Sequence, residues 1–330
     1  MPESRPLVSI ITANHNGAAY LPAAARSVLG QTLTSFEWII ADDASTDDSL
    51  FVIASVCAQD ARVRVLPAQV NSGPAVARNR ALAAARGAWL AVFDSDDVMD
   101  ADRLASLIAE AQASSADIVV DNLRVFSDAD PVGKPFLKGR ANATSRWISL
   151  VEYINSGRMY ARRPGLGYLK PLFNADTLGH LRYREDLKIG EDYDLVLTLM
   201  ARGARLRFLP ATLYRYRKHG ASISAVMRAD HIVQMMGADA DFEAGLAACS
   251  AQVQRAQQRR RRSLETALAY DRIICGFKRG DVLSGLAQAI RWPSVWPLLT
   301  MPLTARLRRL LARTGRACGS LAAWGRTGPI

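Results

Sequence analysis

The sequence predicts an α/β protein: a doubly wound, mainly parallel sheet flanked by helices, continued by a helical, basic C-terminal appendage. Three observations carry that expectation. Strand-length apolar runs alternate with helix-period segments from Leu7 to Asn122, the rhythm of βα units. Three of the strands end in polar clusters, Asn14-His15-Asn16, Asp42-Asp43 and Asp94-Ser95-Asp96, and in such sheets ligands sit outside the carboxyl ends of the strands. Positive charge is confined to the end of the chain: residues 1–250 hold 27 Lys and Arg against 28 Asp and Glu, and residues 251–330 hold 15 against 3.

Each element follows from local signals. LVSIITA (Leu7–Ala13) reads as the first strand, and the loop Asn14–Gly17 leads into a helix over AYLPAAARSVLGQT. FEWIIADD is a second strand closing on two carboxylates, and ASTDDS is a capping turn into the helix LFVIASVCAQ. VRVLPA is a short third strand. GPAVARNRALAAAR reads as a helix with Pro74 near its first turn, a favoured position, and Gly87 closes it. WLAVF is an apolar run of buried-strand length. ADRLASLIAEAQASS and ADIVVDN continue as helix and strand. Beyond residue 127 the pattern loosens. SDADPVGKPFLKGR fits a loop or a hairpin, RWISLVEYINSG a helix, GEDYDLVLTLMARG a helix starting near Glu191, and ARLRFLPATLYRYRKHGASIS a pair of strands. From about residue 226 the chain reads as helical and Arg-rich, so the expected division is 1–225 and 226–330.

The 330 residues are 49% hydrophobic and 22% charged, the balance of an ordinary globular chain. The four cysteines, Cys57, Cys249, Cys275 and Cys318, are far apart, which argues against a zinc ribbon or a disulfide framework and for a reducing compartment. The N-terminus lacks the basic and apolar regions of a signal peptide, and no run reaches the ~18 apolar residues of a membrane-spanning helix. A cytoplasmic protein, peripheral on the inner face of the cell membrane, fits these traits.

The chemistry lies in the carboxylates. Asp94 and Asp96, two positions apart just past a strand, supply hard oxygen ligands for a divalent cation; Asp and Ser at a strand end also serve as a plain turn or helix cap. Asp42 or Asp43 caps the next helix or bonds to a ligand's polar edge. Arg78 is either a solvated helix residue or a guanidinium that reaches phosphate. Glu191 and Asp192 open a helix, where acids complement the dipole.

Taken together, VSIITANHNGAAYLPAAARSVLGQT, FEWIIADDASTDDS, NSGPAVARNRALAAARGAWLAVFDSDDVMDADRL and GEDYDLVLTLMARG resemble the family 2 glycosyltransferases over residues 6–220, in order and spacing. YRYRKHGASIS is similar to the family's closing Arg/His block, and the chain is most similar to bacterial exopolysaccharide transferases of the succinoglycan type. The resemblance implies a GT-A-type fold and an inverting transfer of a sugar from a nucleotide-diphosphate donor, a UDP-sugar first, to a hydroxyl of a glycan or lipid-linked glycan. By the same resemblance, Thr12, Asp43, Arg78 and Asp94 contact the donor, with Asn14 and Asp42 as secondary candidates. Asp96, Asp94 and His219 hold Mg²⁺ or Mn²⁺, with Asp97 beside them. Asp192 is the catalytic base and Glu191 its neighbour, and Arg217 and Arg215 are candidates for the diphosphate.

Two rivals compete. A haloacid-dehalogenase-like phosphatase also carries a D-x-D strand end, but on its first strand, and it leaves IIADDAST unexplained. A non-catalytic sugar-nucleotide binder or membrane scaffold would be expected to lose the base or the metal acids, and neither is lost here. In the tail, Trp292, Trp296, Leu298, Leu299 and Leu303 mix with Arg306, Arg308, Arg309 and Arg313 between Pro293, Pro297 and Pro302. That composition suits an anionic membrane surface over residues 290–315, or a helical appendage packed on the domain or on a second subunit. No binding motif points to nucleic acid.

Overall fold

β1 (Val8–Asn14) is the hub of the sheet, paired in parallel with β2 (Phe36–Asp42) on one edge and with β4 (Trp89–Val92) on the other. Double pairing explains its apolar run, because a parallel strand is covered on both faces. The computed structural model describes residues 5–139, 142–161, 164–220, 227–245 and 249–299. β3 (Val63–Pro67) extends the parallel half beyond β2. The intervening helices are α1 (Leu21–Leu29), α2 (Ser49–Gln59) and α3 (Pro74–Ala84). β5 (Val98–Met99) and α4 (Arg103–Ser114) follow β4, and β6 (Ile118–Ser127) is the strand expected from ADIVVDN.

The other half is mixed. Hairpin strand β7 (Asp130–Pro135) pairs with β6, and β8 (Arg146–Ile148) leads into α5 (Leu150–Ser156). β9 (Leu172–Asn174) inserts antiparallel between β4 and β6, with Leu172 opposite both Ala91 and Val119. After α6 (Ala175–Leu178) and α7 (Glu191–Ala201), β10 (Leu206–Arg217) pairs in parallel with β6 and antiparallel with β5 and β8. The order is β3-β2-β1-β4-β9-β6-β10-β5. The segment expected as a pair of strands is thus one strand; its register shifts between Leu209 and Tyr214, around Pro210, which has no N–H to give a ladder.

Helix α3 packs on β1 and β2, and α4 on β6 and β10. The core between them includes Trp38, Phe93, Phe173 and Phe208, each buried; burying one such apolar side chain contributes about 1.5–3 kcal/mol.

Two compact units divide the chain, Met1–Arg261 and Arg262–Ile330. The boundary lies within α9 (Ala251–Lys278), later than residue 225. The cause is packing: Val253 and Ala256 are buried in the main core, and Arg260 pairs at 3.0 Å with Asp239 of α8 (Ala229–Ala244). The second unit holds the rest of α9, α10 (Val282–Arg291) and a 3₁₀ turn at Pro293–Val295, joined by a small core of Ala269, Ile273, Ala289 and Val295. Among the described residues, no helix is long and apolar enough to cross a membrane.

Candidate functional site

The carboxyl ends of β1, β2 and β4 share one edge because their registers align them, Asn14 opposite Asp42 and Ile11 opposite Val92. A cleft of about 820 Å³ opens there, entirely within the first unit. Its first wall is Asn14–Gly17, Asp43 and the start of α3. A Cβ on Gly17 would overlap Asn14 Oδ1, so a larger residue there would push the Asn14 side chain aside. Asp43 accepts the backbone N–H of Ser72 at 3.1 Å and that of Gly73 at 2.7 Å. Gly73, at φ 91°, takes a backbone that favours glycine and delivers the chain to Pro74 at the head of α3.

Three of the sequence candidates on these strands serve the frame instead. Thr12 is fully buried, and its Oγ1 accepts the Trp38 indole N–H at 2.9 Å; it does not line the cleft, so the expected donor contact is corrected. Asp42 is likewise buried, accepting from Asn14 Nδ2 at 2.8 Å and from the Ser45 hydroxyl at 2.6 Å. Asn14 itself lines the cleft, and its Oδ1 is buried without a hydrogen-bond partner. Asp97 turns inward, taking the Tyr214 hydroxyl and the Arg217 backbone N–H, both at 2.7 Å. Burial, then the charges of Asp96 and Asp94, hold its carboxyl well above the usual range.

The second wall is an ion network built from four distant segments. Arg78 on α3 donates to Asp94 Oδ1 at 2.8 Å and to Glu191 Oε1 at 2.7 Å, with Asp192 Oδ1 3.7 Å away. The Lys170 ammonium lies 2.7 Å from Asp94 Oδ2 and 3.1 Å from Asp192 Oδ2. Burial alone would raise Asp94, but Lys170 and Arg78 outweigh it and hold this carboxyl below the usual range. Burial works against the charge on Lys170 and on Arg78, yet the surrounding carboxylates, Asp192 and Asp94 foremost, push both upward. Burial and the Asp192 charge raise Glu191. Asp192 is left with one anchored oxygen, Oδ2, and one buried oxygen, Oδ1, without a hydrogen bond.

Asp96 stands at the mouth, its Oδ2 2.7 Å from His219 Nε2. The His219 ring is 4.7 Å from that of Tyr20, and its Nδ1 is buried without a hydrogen bond. Carboxylate oxygens of Asp94, Asp96 and Asp97 come within 4.8 Å of one another. Asp97 is bonded to Tyr214 and Arg217 and Asp94 to Arg78 and Lys170, so Asp96, with His219 against it, is the acid of this cluster turned to the cleft, and hard carboxylate oxygens so grouped could hold a divalent cation. Arg217 does not line the cleft: its Nε donates to the Asp96 carbonyl at 2.9 Å, so it shapes the turn. Arg215 lies over the Phe126 ring.

Three residues had no signal strong enough to single them out. Lys170 is a lone cation in the apolar run YLKPLF, the only hint being that a lysine there must be paired. Arg103 opens α4 fully buried, bound to Asp121 at 2.9 Å and to the Lys170 carbonyl at 2.7 Å, with its guanidinium 4.7 Å from the Tyr214 ring. Tyr214 in turn accepts the Asp94 backbone N–H at 3.1 Å while donating to Asp97.

The glycosyl transferase family 2 profile matches residues 9–164. The succinoglycan biosynthesis protein ExoO of Rhizobium meliloti (strain 1021) is 35% identical over 320 residues, covering 93% of this chain and 88% of the relative. Among solved structures, Staphylococcus aureus TarS 1–349 in complex with UDP-GlcNAc superposes with a TM-score of 0.60 at 20% identity, over 79% of this chain and 70% of that one. The mannosyltransferase PcManGT from Pyrobaculum calidifontis, in complex with GDP-Man and Mn²⁺, superposes with a TM-score of 0.61 at 16% identity, over 93% and 82%. The expected GT-A-type fold is the observed one.

Proposed function

The chain belongs to glycosyl transferase family 2, and from that premise we propose that it is an inverting transferase. It moves a sugar from a nucleotide-diphosphate donor, a UDP-sugar first, to a hydroxyl of a glycan or lipid-linked glycan in exopolysaccharide synthesis. The observation that carries this reading is the state of Asp192: one oxygen anchored on Lys170, the other buried in the cleft without a hydrogen-bond donor. A carboxylate so held can accept a proton at Oδ1 without losing its orientation.

The step balances as follows. The acceptor oxygen forms a bond to the anomeric carbon as its proton passes to Asp192 Oδ1, while the bond from that carbon to the diphosphate oxygen breaks on the opposite face. The nucleoside diphosphate leaves, and the configuration inverts. Asp43, Asn14 and Arg78 bind the donor. Lys170 and Arg78 set the carboxylates in position and add positive charge beside the leaving group. Asp96, His219 and Asp94 would hold Mg²⁺ or Mn²⁺, which supplies Lewis-acid charge to the diphosphate when bound. Cytoplasmic placement beside the membrane fits a lipid-linked acceptor.

A thermal-shift screen of nucleotide-sugars with and without Mn²⁺ tests this. A Mn²⁺-dependent rise in Tm with one donor is expected; no shift with any nucleotide-sugar would overturn the reading.

A further inference from the structure

The second unit presents an apolar stripe that nothing in the proposed transfer uses. On α10, Leu283, Leu286 and Ile290 are 82%, 49% and 71% exposed. At ~100° per residue they fall within one face of the helix, with exposed Ala287 between them. Just past the helix, Trp292 and Trp296 are 37% and 58% exposed. The opposite face of the same helix is anchored: Ala289 is buried against Ala269, Ile273 and Val295. The Ala289 carbonyl also accepts the Trp296 indole N–H at 2.7 Å. The apolar side chains are therefore held outward by a core behind them. Lys278 and Arg279 before the helix and Arg291 at its end are exposed, as is one acid, Asp281. The chain beyond it, residues 300–330, carries six arginines and no acid.

We propose that the α10 face formed by Leu283, Leu286 and Ile290, with the exposed Trp292 and Trp296 just past the helix, docks on an anionic phospholipid surface. Charge complementarity selects that occupant. Exposed Leu, Ile and Trp in a segment where cations outnumber the single acid, Asp281, match the interface of an anionic leaflet, where aromatic rings sit at headgroup depth and arginines meet phosphate. A second copy of the chain would have to bring the same cations face to face. The sequence placed the contact at residues 290–315, of which 300–315 lie outside the described residues; the exposed stripe begins earlier, on α10 itself. This inference does not rest on the transferase reading.

Sedimentation of the full chain with sucrose-loaded vesicles tests it. Vesicles of phosphatidylglycerol and phosphatidylcholine should pull the protein down at low salt, and pure phosphatidylcholine should not. The double variant Leu283→Asp/Ile290→Asp should partition at least about tenfold less. Because both side chains point to solvent, its circular dichroism and Tm should match the parent. Phe51→Asp removes an equally exposed apolar residue on α2, 78% exposed, and should leave partitioning unchanged. The proposal falls if the parent does not sediment with the anionic vesicles or if the double variant sediments like the parent. It also falls if ultracentrifugation shows the double substitution turning a dimer into a monomer, which would assign the face to a second copy.

Discussion

The two walls of the cleft use carboxylates in different ways. Asp43 is satisfied by backbone N–H groups of Ser72 and Gly73, about thirty residues along the chain. Asp94 and the Oδ2 of Asp192 are held by side-chain cations, Arg78 and Lys170, and meet only through them. The first arrangement is a loop anchor whose geometry is set by neighbouring backbone. The second is a charge network held by α3, β4, β9 and α7 together, and each member depends on the others being in place. Polar groups in such a low-dielectric network are costly when left unpaired, so damage there should spread, whereas damage at Asp43 should stay local.

The largest effect is expected at the network's free oxygen. Asp192→Asn keeps the shape and an oxygen for Lys170 but removes the proton acceptor, so transfer should fall by ~10³-fold. Donor-induced thermal shift should persist, and near-parental turnover would move the base elsewhere. Lys170→Met is next. Removing one partner of a buried ion network should destabilise by about 3 kcal/mol in urea unfolding. It should also lower kcat by ~10²-fold with little change in donor KM, because the cation aligns carboxylates rather than holding the nucleotide. A change in KM alone would mean that Lys170 is a donor contact and not a positioning residue.

Asp43→Ala should show the local behaviour of the other wall. Two backbone donors lose their acceptor, at a cost of about 1–3 kcal/mol, and donor affinity should weaken by about tenfold while kcat changes little. The smallest effect on transfer concerns Asp194, in the same turn as Asp192 but without a bridging lysine. Burial pushes its carboxyl up from 3.8 to about 6; the Arg184 and Arg260 charges lower it to a degree, and Asp239 and Asp186 add to the rise. A raised folded-state pKa means that the native protein holds this proton more tightly than the unfolded chain. The associated stability is therefore complete below pH ~4 and is lost as pH rises to ~6, by at most about 3 kcal/mol. Asp194→Asn should flatten that region of the stability profile in denaturant titrations at pH 4, 5, 6 and 7.

The parallel half of the fold was legible because each element there is a local signal: apolar runs of strand length, Pro74 opening a helix, polar clusters closing strands. The mixed half was less so. β9 is only three residues long, and its place between β4 and β6 is a long-range pairing with no local pattern to announce it. The strand through Pro210 looked like two because proline interrupts the ladder, yet β10 continues beyond the register shift. Within the site, chemical type was readable and direction was not. Asp42, Asp43, Asp96 and Asp97 are adjacent acids in pairs, and only the backbone decides that Asp43 and Asp96 face the cleft while Asp42 and Asp97 turn to Ser45 and Tyr214.

By itself, then, the sequence determined the family, the α/β alternation, the strand edge at which the acids gather and the basic character of the tail. The family rests on the resemblance of four motif blocks, and the others on residue type and on spacing over one or two turns or strands. Only the tertiary structure decided that Lys170 bridges Asp94 and Asp192, that Arg103 holds the Lys170 carbonyl from the buried side, that Thr12 serves Trp38 instead of a ligand, and which face of α10 is left outward. Those outcomes depend on contacts between segments tens of residues apart, where pairing of buried charge and complementarity of packing select a partner that no local pattern specifies.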